Sequence, residues 1–258
     1  AMEQNVLFVK EYIQIERKKS KHKKLKFNYI KVGLNTFLKM KIAITGASGK
    51  TGFRIVEEAT KKGYKVKQIV RNNSIVPENL RDIETTRLSL DDKEALDNAL
   101  KDVDALIIAT GARASIDLTG PARVDALGVY RQLQSCKRVG LKRVILVSSL
   151  CTGKLIHPLN LFGLILLWKK LGENLLKTNS FEWTIIRPGG LKETEEYTNE
   201  KIYYSKIDTQ EKGSIPRRLV AKCCIESLKE NTSINKTIEI TSSIDNKKIS
   251  FKEAMQII

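Results

Sequence analysis

The chain has 258 residues, 41% of them apolar, and a formal charge of +17. That length allows one α/β domain with a large core, or at most two small domains. The charge does not by itself mark a nucleic-acid binder, because no zinc-finger spacing, RNP-type sequence or aromatic-interleaved basic surface accompanies it.

Residues 1–39 hold ten Lys/Arg against three Glu, concentrated in Arg17–Lys26, RKKSKHKKLK. This run reads as a solvated basic arm, with attraction to an acidic membrane surface or to nucleic acid the lesser alternative. No uninterrupted apolar stretch precedes a small-residue cleavage site, so it is not a secretory signal. Met40 stands directly before KIAITGASG and reads as a natural start. The expectation is a basic, optional extension over 1–39 and one domain over 40–258. The cysteines Cys136, Cys151, Cys223 and Cys224 show neither C-x-x-C nor zinc spacing. They read as small core residues with reduced thiols, in a cytoplasmic or stromal compartment. No metal site is expected.

Lys41–Thr45 is a short apolar, β-branched run suited to a buried parallel strand, and Phe53–Lys62 reads as a helix. Between them lies TGASGKTG, whose Gly46, Gly49 and Gly52 suit a tight strand exit, close approach to a diphosphate, and close helix–sheet packing. The helix start then faces an anion with unpaired N–H groups. Tyr64–Val70 is the second strand and ends at Arg71, where an adenosine ribose would lie. A guanidinium in place of the usual carboxylate favours NADP(H) over NAD(H).

Residues 83–88 form the third expected strand, Asp92–Lys101 a helix, and Val103–Ala109 the fourth strand, which runs into Thr110, Gly111 and Ala112. A helix over Arg123–Val139 follows Pro121. Lys142–Ser148 is the fifth strand and delivers Ser148 and Ser149 to the ligand crevice. Strands alternating with helices imply right-handed crossovers and a parallel sheet. Leu159–Lys177 is strongly apolar, yet its Leu161–Trp168 core is about half the length that spans a bilayer. It reads as a buried helix on the sheet or a wall of an apolar pocket, with peripheral membrane contact the lesser reading. Phe181–Arg187 is the sixth strand, ended by Pro188, Gly189 and Gly190. Residues 191–215 show no clear period and read as a lid or a long loop. A helix over Pro216–Lys229, a strand over Thr237–Thr241 and a helix over Phe251–Ile258 complete the chain.

The motifs TGASGKTG (45–52), RVILVSSL (143–150), LLWKK (166–170), TIIRPGG (184–190) and GSIPRRLVA (213–221) together resemble one family. It is the atypical short-chain dehydrogenase/reductases of NmrA-like, NAD(P)-binding type, with members in cyanobacteria and plastids. The resemblance implies a Rossmann-type doubly wound parallel sheet with helices on both faces, a single domain with a small C-terminal substrate-side part. It implies NADP(H) phosphates on Gly46, Ser48, Gly49, Lys50, Thr51 and Gly52. The 2′-phosphate would lie near Arg71 and the adenine near Ser89 and Leu90. The nicotinamide would lie near Ala109, Thr110, Gly111, Ala112, Ser148, Lys169, Pro188, Gly189 and Gly190.

Two positions depart from the pattern. If Lys169 is the active-site Lys, position 165 is Ile rather than the Tyr that serves as general acid. Ser89 stands where many relatives place an Asp. The function implied is NADPH-dependent reduction of a planar or conjugated small molecule, with Lys169 orienting the nicotinamide ribose and Ser149 as a weaker proton donor. The alternative is a non-catalytic NADP(H) sensor or assembly protein with a protein partner. His157 reads as a loop histidine.

Overall fold

The computed structural model describes residues 40–112, 119–152, 154, 156–161, 163–194 and 199–258. The extension over 1–39 and its basic run lie outside the described residues.

An eight-stranded sheet of order β3-β2-β1-β4-β5-β6-β10-β8 organises the chain. The first five strands are β1 Lys41–Thr45, β2 Lys65–Val70, β3 Glu84–Arg87, β4 Ala105–Ile108 and β5 Arg143–Val147. Beyond them come β6 Glu182–Pro188, β8 Lys201–Ser205 and β10 Lys236–Ser243. All pairs are parallel except β8 on β10, which is antiparallel and forms one edge. A separate parallel pair joins β7 Gly190–Lys192 to β9 Ser214–Pro216.

Period-two side-chain alternation in β1 feeds two cores. Ile42 and Ile44 pack on one face with α1 (Gly52–Lys61), α5 (Arg217–Lys229) and α6 (Phe251–Ile257). Ala43 joins the other face, covered by α2 (Lys93–Leu100), α3 (Val129–Val139) and α4 (Ile165–Lys177). The sheet is doubly wound, as expected, and its strand order reverses between β1 and β4. Strand C-termini part there and leave a crevice for ligand.

Three regions differ from the sequence reading. The helix expected over Arg123–Val139 begins as a π-helical turn over Ala122–Gly128 before continuing as α3. The apolar stretch from Leu159 is not one helix. A 3-10 turn at Pro158–Leu161 is followed by Gly163 and Leu164, both with positive φ, and α4 starts only at Ile165. Leu161 is consequently 81% exposed rather than buried on the sheet. The segment expected as lid or loop contains β7, β8 and β9. In β8 Ile202 and Tyr204 are buried and Tyr203 points outward, an alternation too short to stand out in the sequence.

All four cysteines are free and buried. Burial pushes the Cys136 and Cys223 thiols up to about 12, and Cys224 is raised well above its ordinary value by the same cause. At the N-terminal end of the strands, Asp102 lies 2.5 Å from the ammonium groups of both Lys41 and Lys67. Hydrogen bonds from Lys41 and then Lys67 lower its carboxyl to about 2. No helix among the described residues is long and apolar enough to cross a membrane.

Candidate functional site

The glycine turn after β1 is closed by backbone contacts that admit no side chain. Gly46 has φ +70°, and a Cβ on it would lie 2.7 Å from the Ala109 carbonyl oxygen at the end of β4. A Cβ on Gly52 would lie 2.0 Å from the Gly46 carbonyl oxygen. The absence of a side chain at Gly52 thus lets the start of α1 lie directly against the exit of β1. The Gly49 amide donates to the same carbonyl at 2.9 Å. Thr51 precedes α1 without a side-chain cap, and in the first turn the Phe53 amide donates to the Gly49 carbonyl at 3.0 Å.

A cavity of about 690 Å³ opens above the β1–β4 switch point. Of the expected residues, Gly46, Ser48, Gly49, Arg71, Ser89 and Leu90 line one side of it. Ala109, Thr110, Gly111 and Ala112 line the other. A second cavity of about 630 Å³ adjoins it, sharing Ser48, Arg71 and Ser89 and adding Asn72, Asn73 and Ser74. Arg87 shapes that second cavity by donating to the Asn72 carbonyl at 3.0 Å and the Ser74 carbonyl at 2.8 Å. Sequence reasoning missed Arg87, and also Arg123 and Arg131, which line the main cavity. Arg131 pairs with Asp91, whose carboxylate also accepts from the Ser89 hydroxyl at 3.1 Å.

These residues suit an anionic dinucleotide. The Thr110 hydroxyl oxygen is buried at the cavity lining with no hydrogen-bond partner among the described residues, a cost that a polar ligand would relieve. Guanidinium groups outnumber carboxylates around the cavity, and the glycine turn leaves room for close backbone approach. Lys50 lies outside the lining. Its ammonium is directed to Glu193 at 2.7 Å, a carboxylate that Arg217 also meets at 2.8 Å.

Next to the β4 exit, and outside the cavity lining, α4 brings Lys169 beside Gly111. Its ammonium sits 2.7 Å from Asp125 Oδ1, with Asp125 almost wholly buried. A Cβ placed on Gly111 would be 3.7 Å from that ammonium and 3.8 Å from the carboxylate. Ile165, one turn earlier on α4, packs on Leu150, Cys151 and Leu166. Hydrocarbon thus fills the position where the resemblance would place a phenol.

Ser148 is buried and its hydroxyl donates to Glu173 Oε1 at 2.7 Å, so it is directed into the protein. Ser149 is half-buried beside it. Glu173 receives two hydrogen bonds from Arg187, at 2.8 and 2.7 Å, and Arg187 also pairs with Asp208 at 2.7 Å and Glu239 at 3.3 Å. Arg187, Glu173 and Glu239 are fully buried. Burial alone would lower the Arg187 guanidinium, but Glu173 and Asp208 outweigh it and hold the group above its ordinary value. Glu239 in turn accepts from the amides of Asp208, Thr209 and Gln210 at 2.8–3.1 Å. Pro188 and the two glycines after it do packing work. The Pro188 carbonyl accepts from the Leu150 amide at 2.9 Å, Gly189 has no space for a Cβ against Gly213, and Gly190 donates to the Gly213 carbonyl at 2.9 Å.

A family model described as NAD(P)H-binding matches residues 46–231. The chain is 33% identical over 227 residues to an uncharacterized chloroplastic protein of Arabidopsis thaliana, covering 83% of this chain and 80% of that one. It is 27% identical over 246 residues to sanguinarine reductase of Eschscholzia californica, covering 79% and 89%. It spans less than half the length of the chloroplastic TIC 62 proteins that it also matches. A presumed NAD-dependent epimerase/dehydratase from Bacillus halodurans superposes with a TM-score of 0.74 at 27% identity, covering 85% of this chain and all of that one.

Proposed function

The chain belongs to the NAD(P)H-binding family, and from that premise we propose that it is an NADP(H)-dependent reductase of a planar or conjugated small molecule. The observation that carries NADP(H) over NAD(H) is the second cavity beside Arg71, lined by Asn72–Ser74 and adjoining the main one. A guanidinium there matches a 2′-phosphate, and among the described residues no carboxylate lines that cavity to accept from a free 2′-hydroxyl.

The cofactor supplies the hydride, so the protein has to bind, orient and exclude water. In this reading the glycine turn and the first amides of α1 hold the diphosphate, and Arg71 the 2′-phosphate. The Thr110 hydroxyl and the Lys169 ammonium hold the nicotinamide end. With Ile at 165, the proton reaches the acceptor from the Ser149 hydroxyl or from water, which suits acceptors whose reduction needs little help from a positioned phenol. Flavins, quinones and tetrapyrroles are of this class, and the likeness to sanguinarine reductase supports reduction of a conjugated acceptor. The chloroplastic relative and four reduced thiols support a plastid stroma or cytoplasm as the setting.

The test is NADPH oxidation against a panel of such acceptors, with NADH in parallel. Turnover with NADPH well above that with NADH is expected. The hydrocarbon at Ile165 favours a second reading, an NADP(H) sensor or assembly protein with a protein partner. Tight binding of both cofactor forms without oxidation by any acceptor would establish that reading in place of the first.

A further inference from the structure

We infer that Asp125 is a positioning residue, which sets the Lys169 ammonium against the strand end that takes the nicotinamide half of the cofactor. The inference rests on the NADP(H) reading above and adds a residue that no motif in the chain marks.

Three observations converge on this carboxylate. Its two oxygens have different partners: Oδ1 takes the Lys169 ammonium at 2.7 Å, and Oδ2 accepts from the Ala112 amide at 3.2 Å. One side chain thereby ties the β4 exit to α4. Second, Asp125 sits inside the π-helical turn Ala122–Gly128, a backbone form that is costly relative to the α-helix and concentrates at functional sites. Third, the crossing of α4 over that turn is closer than any side chain would allow. A Cβ on Gly172 would lie 2.4 Å from the Asp125 carbonyl oxygen. Gly172 is one turn beyond Lys169 on α4, so this close approach brings the ammonium within reach of the carboxylate.

Alternatives for the pair are weaker. Asp125 is almost fully buried and Lys169 is only slightly exposed, so the bridge is no screened surface contact. A carboxylate wanted only to bind the Ala112 amide would need no ammonium on its other oxygen. Where the wider superfamily fixes its active-site Lys beside a Tyr, this chain has Ile165, and Asp125 is the group that holds Lys169 instead.

The test is calorimetric binding of NADP⁺ and of adenosine 2′,5′-bisphosphate, a fragment that carries only the adenine end, to the full chain. The variants are Asp125→Asn, Lys169→Met and the two combined. Loss of a charge-assisted contact at the nicotinamide end lowers NADP⁺ affinity by about tenfold. That drop is expected for each single variant and, undiminished and not enlarged, for the double variant. Fragment affinity stays at the wild-type value.

Gly172→Ala, which pushes α4 away without touching either charge, is expected to give the same pattern. It carries the test if Asp125→Asn does not fold. Effects that multiply in the double variant, or an equal loss for fragment and dinucleotide, would overturn the positioning role. A wild-type chain that takes up neither form of the cofactor would overturn the reading beneath it.

Discussion

The adenine side of the crevice and the side beneath Lys169 lie at the ends of the same sheet, yet different materials hold them. Around Arg71 and the glycine turn, the strands rest on hydrocarbon from Ile42, Ile44 and Val70, and polar groups point outward into open cavities. Beneath Lys169 the framework is ionic: Glu173, Arg187 and Glu239 are fully buried and join α4, β6 and β10. The first arrangement lines open cavities with cations such as Arg71, whereas the second pairs its charges within the protein. Variants around Arg71 should therefore change ligand binding with little loss of stability, and variants of the Arg187 network should change mainly stability.

Arg187→Met should produce the largest effect. It strands two buried carboxylates, and breaking such a network costs about 3–5 kcal/mol. Urea unfolding should show that loss, and a change under about 1 kcal/mol would mean that the ionic side does not depend on its charges. Arg71→Glu tests the opposite side. It should lower NADPH affinity by about 10- to 100-fold, leave NADH affinity close to wild type, and barely move the unfolding midpoint. Equal losses for both cofactors would erase the distinction between the cavities.

The smallest effect belongs to a charge cluster remote from both sides. With its carboxyl lowered from 3.8 to about 2 by Lys41 and then Lys67, Asp102 stabilises the fold above its ordinary value. That contribution is lost as the pH falls from about 4 to about 2. The side chain is 55% exposed, so screening leaves about 0.5 kcal/mol. Asp102→Asn should remove that much at neutral pH and flatten the acid limb of the stability profile by the same amount.

The contrast between the two sides also marks how far the sequence could be read. Strands β1 to β6, the glycine turn and Arg71 are local signals: apolar runs, glycine spacing, and one cation at a strand end. Asp125 carried no such signal. It pairs across 44 positions, from a π-helical turn that lies close against Gly172. The same holds for Arg187, whose partners stand 14, 21 and 52 positions away. A buried carboxylate and a surface one look alike in a sequence, since burial is decided by the partner. The break at Gly163–Leu164 was missed for another reason: both residues adopt left-handed backbone inside a run whose composition suits a helix. Strand β8, five residues long, offered too few alternations to register.

With every thiol sealed inside and three of them held far from the thiolate form, the native surface offers maleimide reagents almost nothing to label. A single cysteine introduced at a fully exposed place such as Ile156, between the β5 exit and α4, would thus carry a fluorophore or spin probe against a silent background. Ligand uptake by the full chain could then be followed through that one probe.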